Sequence, residues 1–230
     1  RMMMCHNAAD FPQGRAWIEL DRSALLHNVR VLRALLPKGC ELMPAVKANA
    51  YGHGAALVAG ELQRAGIGSF CVASAAEAVE LRKAGITGEI LILGYTHPRQ
   101  FSLLRHFHLT QTVLDHDYAE LLNRSGRKID VHIKIDTGMH RLGERSSDLE
   151  RILPMWDMNG IRIDGVFSHL CVSDGITEAE RSFTMEQIRK FRRAVKEIRD
   201  AGKNGFKTHL QGSYGLLNYP ALGFDYARPG

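Results

Sequence analysis

The sequence predicts an α/β protein, a TIM-type (β/α)8 barrel of parallel strands with helices outside. Two observations carry this. Short apolar runs alternate with longer stretches of helical periodicity along the whole chain, the pattern of βαβ units. Right-handed crossovers then allow an open doubly wound sheet or a closed barrel. Seven complete units and the start of an eighth favour the barrel. No linker-like or low-complexity stretch breaks the pattern, so residues 17–230 are expected to form one barrel domain behind an N-terminal tail over 1–16.

Element by element, residues 17–21 (WIELD) read as a short strand. Asp21 is placed to cap a helix whose Leu25, Leu26, Val29, Leu32, Leu35 and Leu36 recur at helical spacing. A strand near 40–47 and a helix over 54–65 follow. A strand at 69–74 leads into a helix at 75–84 that Gly85 ends. Next come a strand at 89–94, a helix from Pro98 to 106, a strand at 110–115, a helix at 116–125 and a strand at 129–136. After a loop rich in glycine and charge, a helix at 147–156 leads to a strand at 161–168. A long helix over 178–201 ends at Gly202. A strand at 207–211, a short helix and the start of an eighth strand at 226, truncated there, complete the chain.

Composition narrows the class. At 230 residues, 45% hydrophobic and 24% charged, the chain can bury a core without disulfide or metal staples. It contains no run near the roughly 18 apolar residues of a membrane span, so this segment is expected to make no membrane contact. A net charge of +5 is too weak to imply nucleic acid. The basic stretch 189–203 carries Ile188, Phe191, Val195 and Ile198 as an apolar stripe, which makes its charges the solvated side of an outer helix. Four dispersed cysteines (Cys5, Cys40, Cys71 and Cys171) suggest a reducing, cytoplasmic setting. The N-terminus, with Met2 to Met4, lacks the apolar core of a signal peptide. A start at Arg1 and a stop at "DYARPG" read as a fragment cut at both ends.

In a barrel, reactive groups gather at the C-terminal ends of the strands. Those ends hold Lys47, Asp136 with the loop to Arg141, His169, Ser213 and Arg228. The set offers one amine nucleophile, an aromatic base, a hydroxyl and two guanidinium groups. HExxH, Walker A and paired strand-end carboxylates are absent, and "YGHGAALVAG" is wrongly spaced for GxGxxG. His106 and His108 would point to different faces of a helix, so no metal is expected. A lysine leaving the buried run "LMPAV" loses hydration, which makes a neutral amine available to a carbonyl.

Four ordered motifs then resemble the alanine racemase family over nearly the whole chain. They are "AVKANAYGHG" (45–54), "KIDTGMHRLG" (134–143), "FSHL" (167–170) and "YARPG" (226–230). "LILGYTHP" and "HLQGSYGLLNYP" resemble the serine racemase branch associated with vancomycin resistance. The resemblance implies that Lys47 holds pyridoxal phosphate covalently and serves as one catalytic base. It implies that Tyr51, Ser213 and the backbone of Gly230 bind the phosphate, and that His169 packs on the pyridine ring. Arg141 would face the phenolic oxygen, steadied by a carbamylated Lys134, and Arg228 the pyridine nitrogen. Gly212 departs from the asparagine of many members.

The family also has a C-terminal β-domain, whose tyrosine is the second base, and acts as a homodimer of the full-length protein. Nothing follows Gly230 here, so the segment alone is expected to be inactive. The implied activity is interconversion of L- and D-alanine or serine, supplying cell-wall precursors. A parent with an N-terminal membrane domain is compatible with the branch. The competing reading is a single-barrel pyridoxal-phosphate binding or homeostasis protein; the pairing of "KANAYGHG" with "DTGMHRLG" favours the racemase.

Overall fold

The computed structural model describes residues 18–126 and 128–230. The expected tail over 1–16, with Cys5 and Met2 to Met4, and Trp17 of the expected first strand lie outside the described residues. The elements run α1 (Arg22–Leu35), β1 (Glu41–Leu42), α2 (Lys47–Tyr51), α3 (Ala55–Arg64), β2 (Ser69–Val72), α4 (Ala75–Lys83) and β3 (Glu89–Ile92). Then come α5 (Phe101–His106), β4 (Thr110–Val113), α6 (His116–Arg124), β5 (Ile129–Asp136), β6 (Glu144–Arg145), α7 (Leu149–Ile152) and β7 (Ile161–Phe167). The last are α8 (Glu178–Asp200), β8 (Lys207–His209), α9 (Ser213–Asn218) and β9 (Tyr226–Ala227).

The strands form one parallel path, β1-β9-β8-β7-β5-β4-β3-β2. Its two ends meet through a single bridge, Ala45 to Cys71, where Val46 N donates to Cys71 O at 2.9 Å and Cys71 N to Pro44 O at 2.8 Å. The result is the expected barrel. Strand β9 is as short as the sequence suggests, yet it is bonded on both sides. Met43 N donates to Ala227 O and Ala45 N to Pro229 O, while Arg228 N donates to Gln211 O. No open edge remains there.

Two details depart from the sequence reading. Residues 18–21 hold only a lone bridge residue, Leu20, instead of a strand. Strand β6, which the sequence did not suggest, pairs with the end of β5, Ile135 opposite Glu144.

Local chemistry explains the helix starts. Asp21 accepts from Ser23 N and Ala24 N, Ser74 from Glu77 N and Asp115 from Tyr118 N. Thr177 and Glu180 form a full capping box at α8. Helix α8 buries Ile188, Phe191, Val195 and Ile198, and its basic residues pair along the outer face, Arg193 with Glu197 and Lys196 with Asp200. The main core lies between strands and helices, where each buried Leu, Ile or Phe contributes about 1.5–3 kcal/mol. A separate small cluster, Met43, Cys71 and Leu91, fills part of the barrel interior. The rest of that interior is polar, with Thr110, Thr112, His132, Lys134, His209 and Arg228 all buried. Cys40, Cys71 and Cys171 are free thiols. Among the described residues no helix is long and apolar enough to cross a membrane.

Candidate active site

The C-terminal ends of the strands open into a cavity of about 1090 Å³. Lys47, Tyr51, Lys134, Arg141, His169, Ser213, Arg228 and Gly230 all line it, so the residues the resemblance assigned to the site are brought to one place, while Asp136 stays out of the lining. Lys47 follows β1, Lys134 lies on β5, and Arg141 on the loop after β5. His169 follows β7, Ser213 opens α9 after β8, and Arg228 extends β9.

The backbone beyond Lys47 is unusual. Ala48, Asn49, Ala50 and Tyr51 have φ between 50° and 55°, so α2 is a single left-handed turn built from non-glycine residues. Such a turn costs roughly 1–2 kcal/mol per residue and persists only where surroundings hold it. Glu77 on α4 is one clamp: its carboxylate accepts from Ala48 N at 2.9 Å and from Ala73 N at 2.7 Å. Asn49 Oδ1 accepts from Ala55 N at 2.8 Å and is another. The Glu77 clamp was not legible in the sequence, because it depends on α4 meeting α2 in space. Asn49 and the flanking Gly52 and Gly54 were the local signals.

The turn carries Tyr51 to Gly230. A Cβ placed on Gly230 would lie 2.8 Å from the Tyr51 hydroxyl, so this spot accepts only glycine without displacing Tyr51. Ser213 Oγ accepts from Gly230 N at 2.9 Å. One phenol, one hydroxyl and one backbone amide thus share a small polar cradle. At Gly212 a Cβ would come within 3.3 Å of His169 Cε1, so a side chain there would press on the imidazole.

Four cations surround the centre. Burial, then the charges of Arg228, Lys134, Arg141 and Lys47, push His169 down to about 3, so it is neutral near pH 7. Arg228 Nη2 lies 3.3 Å from His169 Nδ1, which therefore accepts. Arg228 is itself buried and donates further to Ser168 O at 2.8 Å and Leu210 O at 3.1 Å. Lys134 is 6% exposed, and burial with the charges of Arg141 and Arg228 lowers it to about 8. Lys47 is only half-buried, so the most desolvated lysine at the mouth is Lys134, not the strand-end lysine the sequence pointed to.

Asp136 holds the Arg141 loop. Its Oδ1 accepts from Gly138 N and His140 N, and its Oδ2 meets His140 Nδ1 at 2.8 Å. Gln187 on α8, which the sequence did not single out, donates to His169 O and accepts from Cys171 N, fixing the loop after β7. Chemically the cavity offers a cationic, partly apolar bowl with one half-buried amine and a small polar cradle.

Residues 20–230 match the family described as alanine racemase, N-terminal domain. The chain is 41% identical over 219 residues to an amino-acid racemase of Enterococcus faecalis, covering 95% of this chain and 31% of that protein. It is likewise 41% identical to the serine/alanine racemase of Enterococcus gallinarum, with the same two shares of 95% and 31%. Against alanine racemase 1 of Caldanaerobacter subterraneus subsp. tengcongensis the identity is 36%, over 93% of this chain and 56% of that one. Among solved structures, alanine racemase from Bacillus anthracis with bound L-Ala-P superposes with a TM-score of 0.85 at 29% identity, covering 93% of this chain and 56% of that chain. The chain therefore spans between 31% and 56% of the length of these relatives. Over that span, it belongs to the family of alanine racemase N-terminal domains.

Proposed function

We propose that residues 17–230 are the cofactor-binding barrel of a pyridoxal-phosphate-dependent racemase for alanine or serine. The single observation that carries this is the convergence, in one cavity, of the half-buried Lys47 amine with a polar cradle and three further cations, Lys134, Arg141 and Arg228. A phosphate dianion suits the cradle of Tyr51, Ser213 and Gly230, and a carboxylate-bearing substrate suits the cationic bowl. When bound, the cofactor would supply an electron sink that acidifies the substrate's α-hydrogen.

The chain's own residues would divide the work. Lys47 would anchor the cofactor covalently and then move a proton at the α-carbon from one face. Arg228 presents N–H donors where other enzymes of this chemistry often present a carboxylate, so a ring nitrogen facing it would accept a hydrogen bond and stay unprotonated. His169 is neutral and already bonded to Arg228, which suits packing on an aromatic ring better than proton transfer. Lys134, with its lowered charge cost of deprotonation, is suited to take up carbon dioxide as a carbamate that pairs with Arg141. A second acid–base group for the opposite face would come from outside residues 1–230. The resemblance further supports a homodimer of the full-length protein and a D-amino acid product destined for cell-wall precursors in the setting of vancomycin resistance.

The test is α-hydrogen exchange in deuterated water, from each enantiomer of alanine and serine, with added pyridoxal phosphate. The full-length protein should exchange and invert both enantiomers of at least one substrate. Residues 1–230 alone should give at most trace, one-sided exchange, since losing one positioned base costs about 10²–10⁴-fold. Equal turnover by both would place the second base within 1–230, and no exchange by either would end the racemase reading.

A further inference from the structure

Beneath the candidate site a line of polar side chains descends through the barrel interior. Arg228 Nη1 lies 2.6 Å from His209 Nδ1. On the far side of that ring, His209 Nε2 lies 2.8 Å from His132 Nδ1. His132 Nε2 in turn lies 3.0 Å from Glu89 Oε1, at the opposite end of the barrel from the cavity. Both imidazoles are essentially inaccessible, at 0% and 1% exposure.

The two ends fix where the protons sit. A guanidinium can only donate, so His209 Nδ1 must be bare and His209 Nε2 must carry the proton. That N–H needs an acceptor, so His132 Nδ1 is bare and His132 Nε2–H points at Glu89. A carboxylate can only accept, so the lower end agrees with the upper one. The reverse arrangement fails at both ends, with N–H against N–H at Arg228 and a lone pair against a carboxylate at Glu89.

Glu89 is suited to be the fixed acceptor. Hydrogen bonds from His132, Thr110 and Ser69 oppose its burial and favour the ionised carboxylate. The line is also sterically prepared. A Cβ on Gly165 would lie 2.5 Å from the His132 ring, and β5 shifts register against β7 between Val131 and His132. Phe167 stacks on His209 at 4.6 Å and 9°, and the Arg228 guanidinium lies 5.2 Å from the centroid of the Phe167 ring.

We propose that Glu89 and His132 are positioning residues: acting from the far end of the barrel, they lock the tautomer of His209 and so hold the Arg228 guanidinium in its orientation at the site. The line is not a proton wire, because its upper end is a guanidinium that keeps its protons. The significance of Arg228 rests on the reading given under Proposed function; the proton arrangement does not.

Nitrogen-15 spectra of the imidazoles and guanidinium groups test this in the full chain without cofactor. Both His132 and His209 should be protonated at Nε2 and bare at Nδ1. In Glu89→Gln, whose amide can turn a donor toward His132, His209 should populate both tautomers and the Arg228 guanidinium protons should exchange with water about tenfold faster. A proton on Nδ1 of either ring in the unaltered protein overturns the proposal, whether or not the variant folds. Unchanged tautomers and exchange in a folded Glu89→Gln overturn it as well. Failure of Lys47 to react with pyridoxal phosphate would instead sink the functional reading and leave the proton arrangement standing.

Discussion

At Gly230 a single hydrogen decides what the cradle can hold. Adding a methyl group would drive a carbon to 2.8 Å from the Tyr51 hydroxyl, so the half-exposed phenol would have to swing out of the cradle. Gly230→Ala should therefore weaken pyridoxal phosphate binding by about tenfold to a hundredfold, read by absorbance titration; an unchanged affinity would remove Gly230 from the cradle. Glu77 acts one shell further out. Its carboxylate takes two backbone donors that steady the left-handed turn after Lys47. Glu77→Ala should lower unfolding stability by about 1.5–3 kcal/mol in urea melts, and Glu77→Gln by less, because the amide keeps one acceptor. The residues that meet at the cavity were legible in the sequence because strand ends and motifs are local. Glu77 and Gln187 were not, because each looks like an ordinary helix residue until the chain is folded.

Among the elements, helices were the easier part. Helix α8 was legible from its apolar stripe and terminal glycine, and α1 from Asp21. Strand β6 was hidden because two residues leave no periodicity, and α2 because Asn49 alone tolerates the left-handed region while the alanines on either side disfavour it. The buried polar line had a signal that went unused. On β5, Asp130, His132, Lys134 and Asp136 alternate with Ile129, Val131, Ile133 and Ile135, so the polar four share one face of the strand. That face is the barrel interior. Its titration sets a pH dependence. His169 binds a proton near 6.5 in its ordinary state and only near 3 when folded, because of burial and then neighbouring cations. Between those values the unfolded chain holds more protons, so stability is full above about 6.5 and is lost as pH falls toward 3. Fully buried His209, also held well below its ordinary value, acts in the same direction. Urea melts at pH 7 and pH 5 should show this loss, and His169→Gln should reduce it; an equal slope in the variant would contradict the assignment.

For the molecule as a whole, closure of the barrel is what makes the site one site. The Ala45–Cys71 bridge and the bonding of β9 on both edges bring the first strand and the last together. Lys47 and Arg228, 181 positions apart in sequence (228 − 47), thereby face the same cavity. The central claim is that this cavity takes pyridoxal phosphate on Lys47, and it can be read directly. The chain is incubated with pyridoxal phosphate, reduced with borohydride, digested and mapped by mass spectrometry. Label concentrated on Lys47, and lost in Ser213→Ala combined with Tyr51→Phe at limiting cofactor, is the predicted result. Label on Lys134, or scattered over surface lysines without regard to the cradle, would contradict it.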